Sequence, residues 1–168
     1  GILDDTVVVF TTDHGEYAGE HGLFGKNQLY ETAHRLPMLI RWPDAIPAGT
    51  VVDEVMSTVD FQPTILRLLG LDPGGREQGR DGSKLLRGEA VEWPDVAHIH
   101  HNTHGRAGIF TPDFELAYVR DGDPILFDRV NDPEQVHNLF GDPDYDDIIE
   151  VLTRRIVRHH VAMASPAA

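Results

Sequence analysis

The run Thr6-Val7-Val8-Val9-Phe10-Thr11-Thr12 shows no alternation of apolar and polar positions; β-branched and aromatic residues simply follow one another. Such a run predicts a strand covered on both faces, and it stops abruptly at Asp13-His14-Gly15. A second apolar run, Leu36 to Trp42, predicts another strand, with Pro37 near its start, where a missing amide is tolerated, and Pro43 ending it. Residues 43–50 form a Pro/Gly turn region. From Phe61 to Leu69 the spacing turns helical, with Ile65, Leu68 and Leu69 on one face, Asp60 placed to cap the helix and Gly70 to close it. Capping is a sufficient reason for Asp60, which therefore receives no catalytic role. Residues 71–83 are rich in turn formers and predict a surface loop.

From about residue 93 the texture changes to short strands, predicted at Val96–His100, Glu115–Arg120 and Ile125–Phe127, with Asp121-Gly122 as a hairpin signal between the last two. A closing helix from Asp144 to Ala164 carries Tyr145, Ile148, Ile149, Leu152 and Ile156 on one stripe. Arg154, Arg155 and Arg158 fall toward its C-terminal end, where the helix dipole favours cations. The last few residues, 164–168, predict a disordered tail. The chain reads as α/β in two segments, 1–90 and 91–168.

Composition narrows the function classes. With 168 residues, 40% of them hydrophobic, the chain is long enough to bury a core. A formal net charge of −14 argues against a nucleic-acid partner, since phosphate neutralisation needs a basic face. The same charge means that the overall field does not draw in an anionic substrate, so local cations must hold one. No run approaches a membrane span in length. The absence of cysteine leaves the redox compartment open, and nothing in the chain points to a location.

Open α/β sheets place their chemistry beyond the carboxyl ends of strands, which is where Asp13 and His14 fall. In a regular strand these two side chains point to opposite faces, so they meet on one ion only if the backbone bends, and Gly15 permits the bend. Gly19, Gly22 and Gly25 then lead to Lys26, on a loop able to fold back and aim a positive charge into the same crevice. A carboxylate and an imidazole for a cation, with a lysine for an anion, are the parts of a metal-assisted hydrolase of an anionic ester. On these short strings alone, an aspartate bonded to its own turn and a solvated lysine account for the residues equally well. His98, His100, His101 and His104 are dense enough to suggest a metal site, but on a strand His101 opposes His98 and His100. Solvated or pocket-lining histidines are the better reading.

Order and context add a resemblance. Thr12-Asp13-His14-Gly15-Glu16, Gly19-Glu20-His21-Gly22-Leu23-Phe24-Gly25-Lys26, Tyr30-Glu31, Arg35-Leu36-Pro37-Met38-Leu39-Ile40 and Val59-Asp60-Phe61-Gln62-Pro63-Thr64 occur in that sequence, followed by Asp81-Gly82-Ser83-Lys84-Leu85-Leu86, Leu126-Phe127-Asp128, Asn131-Asp132-Pro133-Glu134 and Asn138-Leu139. Together they resemble the C-terminal half of the sulfatase family, within the alkaline phosphatase superfamily. The resemblance runs to about position 150. It implies part of an alkaline-phosphatase-like α/β core, followed by a small antiparallel sheet and a C-terminal helix.

The resemblance also implies roles. Asp13 and His14 become metal ligands, Lys26 contacts the sulfate, and His21 either touches substrate or orients its loop. The metal would be Ca²⁺, with Mn²⁺ or Zn²⁺ as alternatives raised by the imidazole. Histidine at the second ligand position, where sulfatases also carry asparagine, is similar to the phosphonate and phosphodiester hydrolases of the superfamily. Sulfatases use a formylglycine made in a Cys/Ser-x-Pro-x-Arg motif, and neither Ser57-Thr58-Val59 nor Ser83-Lys84-Leu85 fits it. The expectation is a C-terminal fragment, silent by itself, of an enzyme acting on a small sulfate ester. Its uncovered sheet edge implies self-association, as in a homo-oligomer, or marginal stability. The reading from another class is a non-catalytic binding or assembly module using the acidic surface.

Overall fold

A computed structural model describes residues 1–101 and 105–164, with the side chain of His101 left aside; His104 and all but Ala164 of the tail predicted at 164–168 lie outside the described residues. The chain divides into two compact units, Gly1–Trp93 and Pro94–Ala168. Among the described residues no helix is long and apolar enough to cross a membrane.

In the first unit the two predicted strands form, each shorter than the apolar run that announces it. β1 (Val8–Thr11) pairs antiparallel with β2 (Met38–Arg41), Val8 opposite Arg41 and Thr11 opposite Met38. The expected burial on both faces is not found. Phe10 is 61% and Leu39 66% exposed, because these two strands form a sheet of their own and a two-stranded ribbon cannot cover its own faces. A single helical turn, α1 (Glu31–His34), lies just before β2 and was not expected from the sequence.

The predicted helix is α2 (Phe61–Leu68), with Gly70 closing it at a left-handed φ of 74°. Its buried face carries Pro63, Thr64 and Leu68; Leu69 lies past the helix end and is exposed. The loop expected over 71–83 gives way at Ser83 to one more turn, α3 (Ser83–Leu86), where the Asp81 carboxylate accepts the Ser83 N–H at 2.9 Å.

Asp60 does something other than cap α2. It is 1% exposed, and its carboxylate accepts the Ser57 N–H at 2.9 Å, closing a capping box on the 3-10 turn Thr58–Asp60. The same carboxylate accepts the backbone N–H of Arg80 at 2.7 Å and the Arg80 guanidinium at 2.8 Å, while that guanidinium lies 4.2 Å above the Trp93 ring. One buried acid thus ties the start of α2 to the far end of the 71–83 loop. Asp60→Ala leaves the Ser57 and Arg80 N–H groups and a part-exposed guanidinium without their acceptor, so in the full-length polypeptide it should cost about 1–3 kcal/mol of stability. Urea unfolding checks it; a loss below about 1 kcal/mol would show that the pair behaves as an exposed one.

The second unit is an antiparallel meander, β3 (Ala97–His101), β4 (Arg106–Phe110), β5 (Phe114–Val119) and β6 (Ile125–Asp128), with spatial order equal to chain order. β4 was not expected: it opens on a charge and has Gly108 at its centre, so its apolar signal is weak. In register Ile109 sits opposite His98 on one side and Leu116 on the other. The helix α4 (Asp146–Ala164) lays the predicted stripe onto this sheet: Leu152 and Ile156 join Val96, Ile109, Leu116 and Leu126 in the core, with Tyr145, Ile148 and Ile149 packed around them. The last turn of α4 holds no basic residue. Arg154, Arg155 and Arg158 therefore lie too early for the dipole contact expected of them, which fades within one turn, and Arg154 pairs with Glu150 instead.

Candidate active site

β1 ends at Thr11, and the backbone turns as it passes Asp13 and His14, bringing His14 Nε2 to 3.5 Å from Asp13 Oδ2. His14 Nδ1 lies 2.8 Å from the Gly15 carbonyl oxygen, which can only accept, so Nδ1 carries a proton and, in the neutral ring, Nε2 is the nitrogen with the free lone pair. That tautomer, held by a backbone carbonyl on the far nitrogen, is the one that binds a metal ion.

The Asp13 side chain is exposed, yet its carboxyl lies below its ordinary pKa. Partial desolvation pushes it up, and this is outweighed by hydrogen bonding from the backbone of Asp13 and His14, by the charge of Lys26 and, when its ring is protonated, by that of His14. Asp13 is a carboxylate at neutral pH. Lys26 is also exposed, and its charge helps lower Asp13.

Gly15 fits for a reason beyond its flexibility. Its N–H donates to the Ala33 carbonyl at 2.9 Å, and a Cβ built on it would lie 1.9 Å from the Thr32 carbonyl oxygen. The strand end is pressed against the backbone of α1, and only glycine allows that approach.

The loop to Lys26 is folded on itself. The Glu16 carboxylate accepts the Gly25 N–H at 2.6 Å and the Ala18 N–H at 3.3 Å, and the Tyr17 N–H donates to the Gly25 carbonyl at 3.0 Å. Tyr17 is buried, its hydroxyl donating to the Gln28 carbonyl, and the Thr32 hydroxyl donates to Glu20. His21 sits at a φ of 51° in the short turn Glu20–Gly22 and stacks on Tyr30, ring centres 3.9 Å apart and planes 10° from parallel. A cavity of about 350 Å³ opens beside the strand end, lined by Thr11, Thr12, Asp13, Met38, Thr58 and Phe61. Of the four residues singled out from the sequence, Asp13 alone lines it; His14 adjoins Asp13, and neither Lys26 nor His21 is among the lining residues.

Among the described residues no three His, Cys, Asp or Glu side chains gather so as to hold a metal ion. Asp13 and His14 fit a share of a coordination shell, one oxygen and one nitrogen donor, and among the described residues nothing completes it. The histidines of β3 pack on α4: His98 stacks on His159 at 3.9 Å with planes 4° apart, and His100 meets His160 at 4.2 Å. Burial, with His160 and His100 nearby, holds His159 below the usual histidine range. The parallel rings of His98 and His159 cannot aim their in-plane lone pairs at one ion, and His100 and His160, tilted by 54°, belong to no metal-holding group among the described residues. His159 and His160 escaped the sequence reading because they lie on α4, far along the chain.

Residues 19–162 match the family described as N-sulphoglucosamine sulphohydrolase, C-terminal. The chain belongs to this sulfatase family. It is 35% identical over 157 residues to an N-acetylglucosamine-6-O-sulfatase of Bacteroides thetaiotaomicron, the match covering 86% of this chain and 28% of that protein. It is 30% identical to a multifunctional alkaline phosphatase superfamily protein of Trinickia caryophylli, covering 86% of this chain and 32% of that one. Among solved structures, one in complex with its substrate D-glucosamine-2-N,6-O-disulfate superposes with a TM-score of 0.78 at 31% identity, over 94% of this chain and 34% of that one. The phosphonate monoester hydrolase of Agrobacterium radiobacter superposes with a TM-score of 0.83 at 26% identity, over 96% and 36%. The alkaline-phosphatase-like α/β fold expected for the sulfatase family is thus present, and the chain spans about a third of the length of the relatives it matches.

Proposed function

We propose that this chain is the C-terminal part of a sulfatase, a hydrolase of small anionic sulfate esters. The observation that carries the reading is the Asp13–His14 pair at the end of β1, with a metal-ready His14 tautomer and the charge of Lys26 acting on the same carboxylate. Membership of the sulfatase family supports it, as does a structural neighbour bound to a sulfated glucosamine.

In this reading Asp13 and His14 hold part of a divalent cation's shell. Ca²⁺ suits an oxygen-rich site and Mn²⁺ or Zn²⁺ suit the imidazole. Bound there, the cation would polarise the sulfate oxygens as a Lewis acid. The Gly15 carbonyl keeps His14 in the required tautomer. Lys26 presents a compact ammonium to the sulfate and stabilises the charge that builds as the ester bond breaks. The nucleophile would be a formylglycine from outside this chain.

A second reading, hydrolysis of phosphonate monoesters or phosphodiesters, is favoured by histidine at the second ligand position and by the likeness to a phosphonate monoester hydrolase. Matched aryl sulfate, aryl phosphodiester and aryl phosphonate substrates, assayed with the metal-loaded full-length polypeptide, separate the two. Highest kcat/KM on the aryl sulfate is expected. Preference for either phosphorus ester moves the assignment to the second reading, and turnover of none of them leaves a binding or assembly module.

A further inference from the structure

We propose that Glu16 is a positioning residue for Lys26. An acid beside an anion-binding lysine in a chain of net charge −14 works against substrate binding, so its presence asks for a compensating contact. The contact is with the loop backbone. Glu16 Oε1 accepts the N–H of Gly25, the residue directly before Lys26, at 2.6 Å, and that of Ala18 at 3.3 Å. The next residue, Tyr17, donates its own N–H to the Gly25 carbonyl at 3.0 Å, and that carbonyl belongs to the peptide joining Gly25 to Lys26. Both polar groups of Gly25 are thereby fixed by consecutive residues that follow Asp13-His14-Gly15 without a break.

Those bonds act at the lysine end of the loop, whereas the Thr32–Glu20 bond and the stacking of His21 on Tyr30 hold its middle. Gly25 sits at a left-handed φ of 82°, and Glu20, His21, Gly22, Phe24 and Lys26 are all exposed, so no buried side chain between residues 19 and 26 anchors the lysine. A carboxylate accepting backbone N–H groups makes roughly twice as strong a bond as a neutral acceptor. One short hydrogen bond thus ties the end of the loop that bears Lys26 to the end that bears the metal-ligand pair. What matters is the reach of the side chain. Aspartate keeps the charge but is one methylene too short to span to Gly25; glutamine keeps the reach and an accepting oxygen.

The inference rests on Lys26 being the lysine that contacts the substrate anion, and one set of variants of the full-length polypeptide tests both. Steady-state kinetics on an aryl sulfate and thermal melting are measured for Glu16→Gln, Glu16→Asp, Glu16→Ala and Lys26→Ala, and for each Glu16 variant combined with Lys26→Ala. A displacement on the order of 1 Å at a catalytic group costs roughly 10²-fold, so Glu16→Asp and Glu16→Ala should lose about that much kcat/KM, mainly in kcat. Glu16→Gln should keep most of the activity. In the Lys26→Ala background the Glu16 changes should alter kcat/KM by less than about twofold, the mark of two residues acting through one group. The inference is overturned by wild-type kcat/KM in Glu16→Asp and Glu16→Ala, by a loss in Glu16→Gln that Glu16→Asp escapes, or by losses of equal size with and without Lys26. Should Glu16→Ala fail to fold, the Gln and Asp variants carry the same decision. Wild-type kcat/KM in Lys26→Ala overturns the sulfate-contact reading and this one together, whereas a loss there with unaffected Glu16 variants overturns this one alone.

Discussion

Asp13→Ala and His14→Ala, made separately in the full-length polypeptide, are expected to cut turnover of a sulfate ester by more than about 10²-fold and to lower the bound divalent metal. The size follows from what milder changes do: replacing a group that merely orients a metal ligand typically costs 10- to 100-fold in affinity or activity, and here the ligand itself goes. The two variants should differ in one respect. Asp13 also offers its carboxylate to the charge of Lys26, so its loss disturbs the anion side of the site as well. His14→Gln keeps a polar side chain of similar reach but loses the Nδ1–H that bonds the Gly15 carbonyl, and it should remain far below wild type. Elemental analysis of the purified variants beside kinetics decides the matter. Full metal occupancy and normal turnover in both alanine variants would remove Asp13 and His14 from the site.

Lys26→Ala should depress kcat/KM by roughly 10²- to 10³-fold, the range seen when a preorganised electrostatic donor is removed. Its stability should shift by less than about 0.5 kcal/mol, since an exposed side chain is lost and no buried contact goes with it. Lys26→Arg should recover only part of the rate, because a planar fork does not occupy the place of a compact ammonium. Kinetics and melting on both variants separate this from an ordinary solvated lysine: a near-normal kcat/KM in Lys26→Ala puts the residue outside the site.

The parts of the fold carried by a local pattern were legible in the sequence. The Val-Val-Phe run and its abrupt end located β1, helical spacing located α2 and α4, and the stripe from Tyr145 to Ile156 was read with the face that meets the core. The misses share a cause, which is that the deciding partner is distant in sequence or the element is too short to show a period. α1 is one turn, and β4 carries glycine and arginine where a strand signal needs apolar residues. Asp60 has a helix start beside it and a guanidinium twenty positions on; proximity suggested a cap, and the guanidinium decides its role. Burial of β1 was misjudged because hydrophobicity states what a strand tolerates, whereas exposure depends on the elements that cover it, and none of those described lies over Phe10. At the site, Asp13, His14 and Lys26 could be named from residue type and spacing, while the tautomer of His14, the stacking of His21 on Tyr30 and the bond from Glu16 to Gly25 depend on folded geometry.

The contact at Gly15 sets a rule for moving this site to another scaffold. Because its Cα meets the Thr32 carbonyl with no room for a methyl group, and its N–H is bonded to Ala33, the direction in which Asp13 and His14 leave the strand is dictated by a second stretch of main chain. A graft that carries Asp-His-Gly alone transfers the chemistry without its aim. The transplantable piece is a pair of segments, residues 11–16 together with 30–34, and a host protein must offer both at their native spacing before any adjustment of side chains can matter.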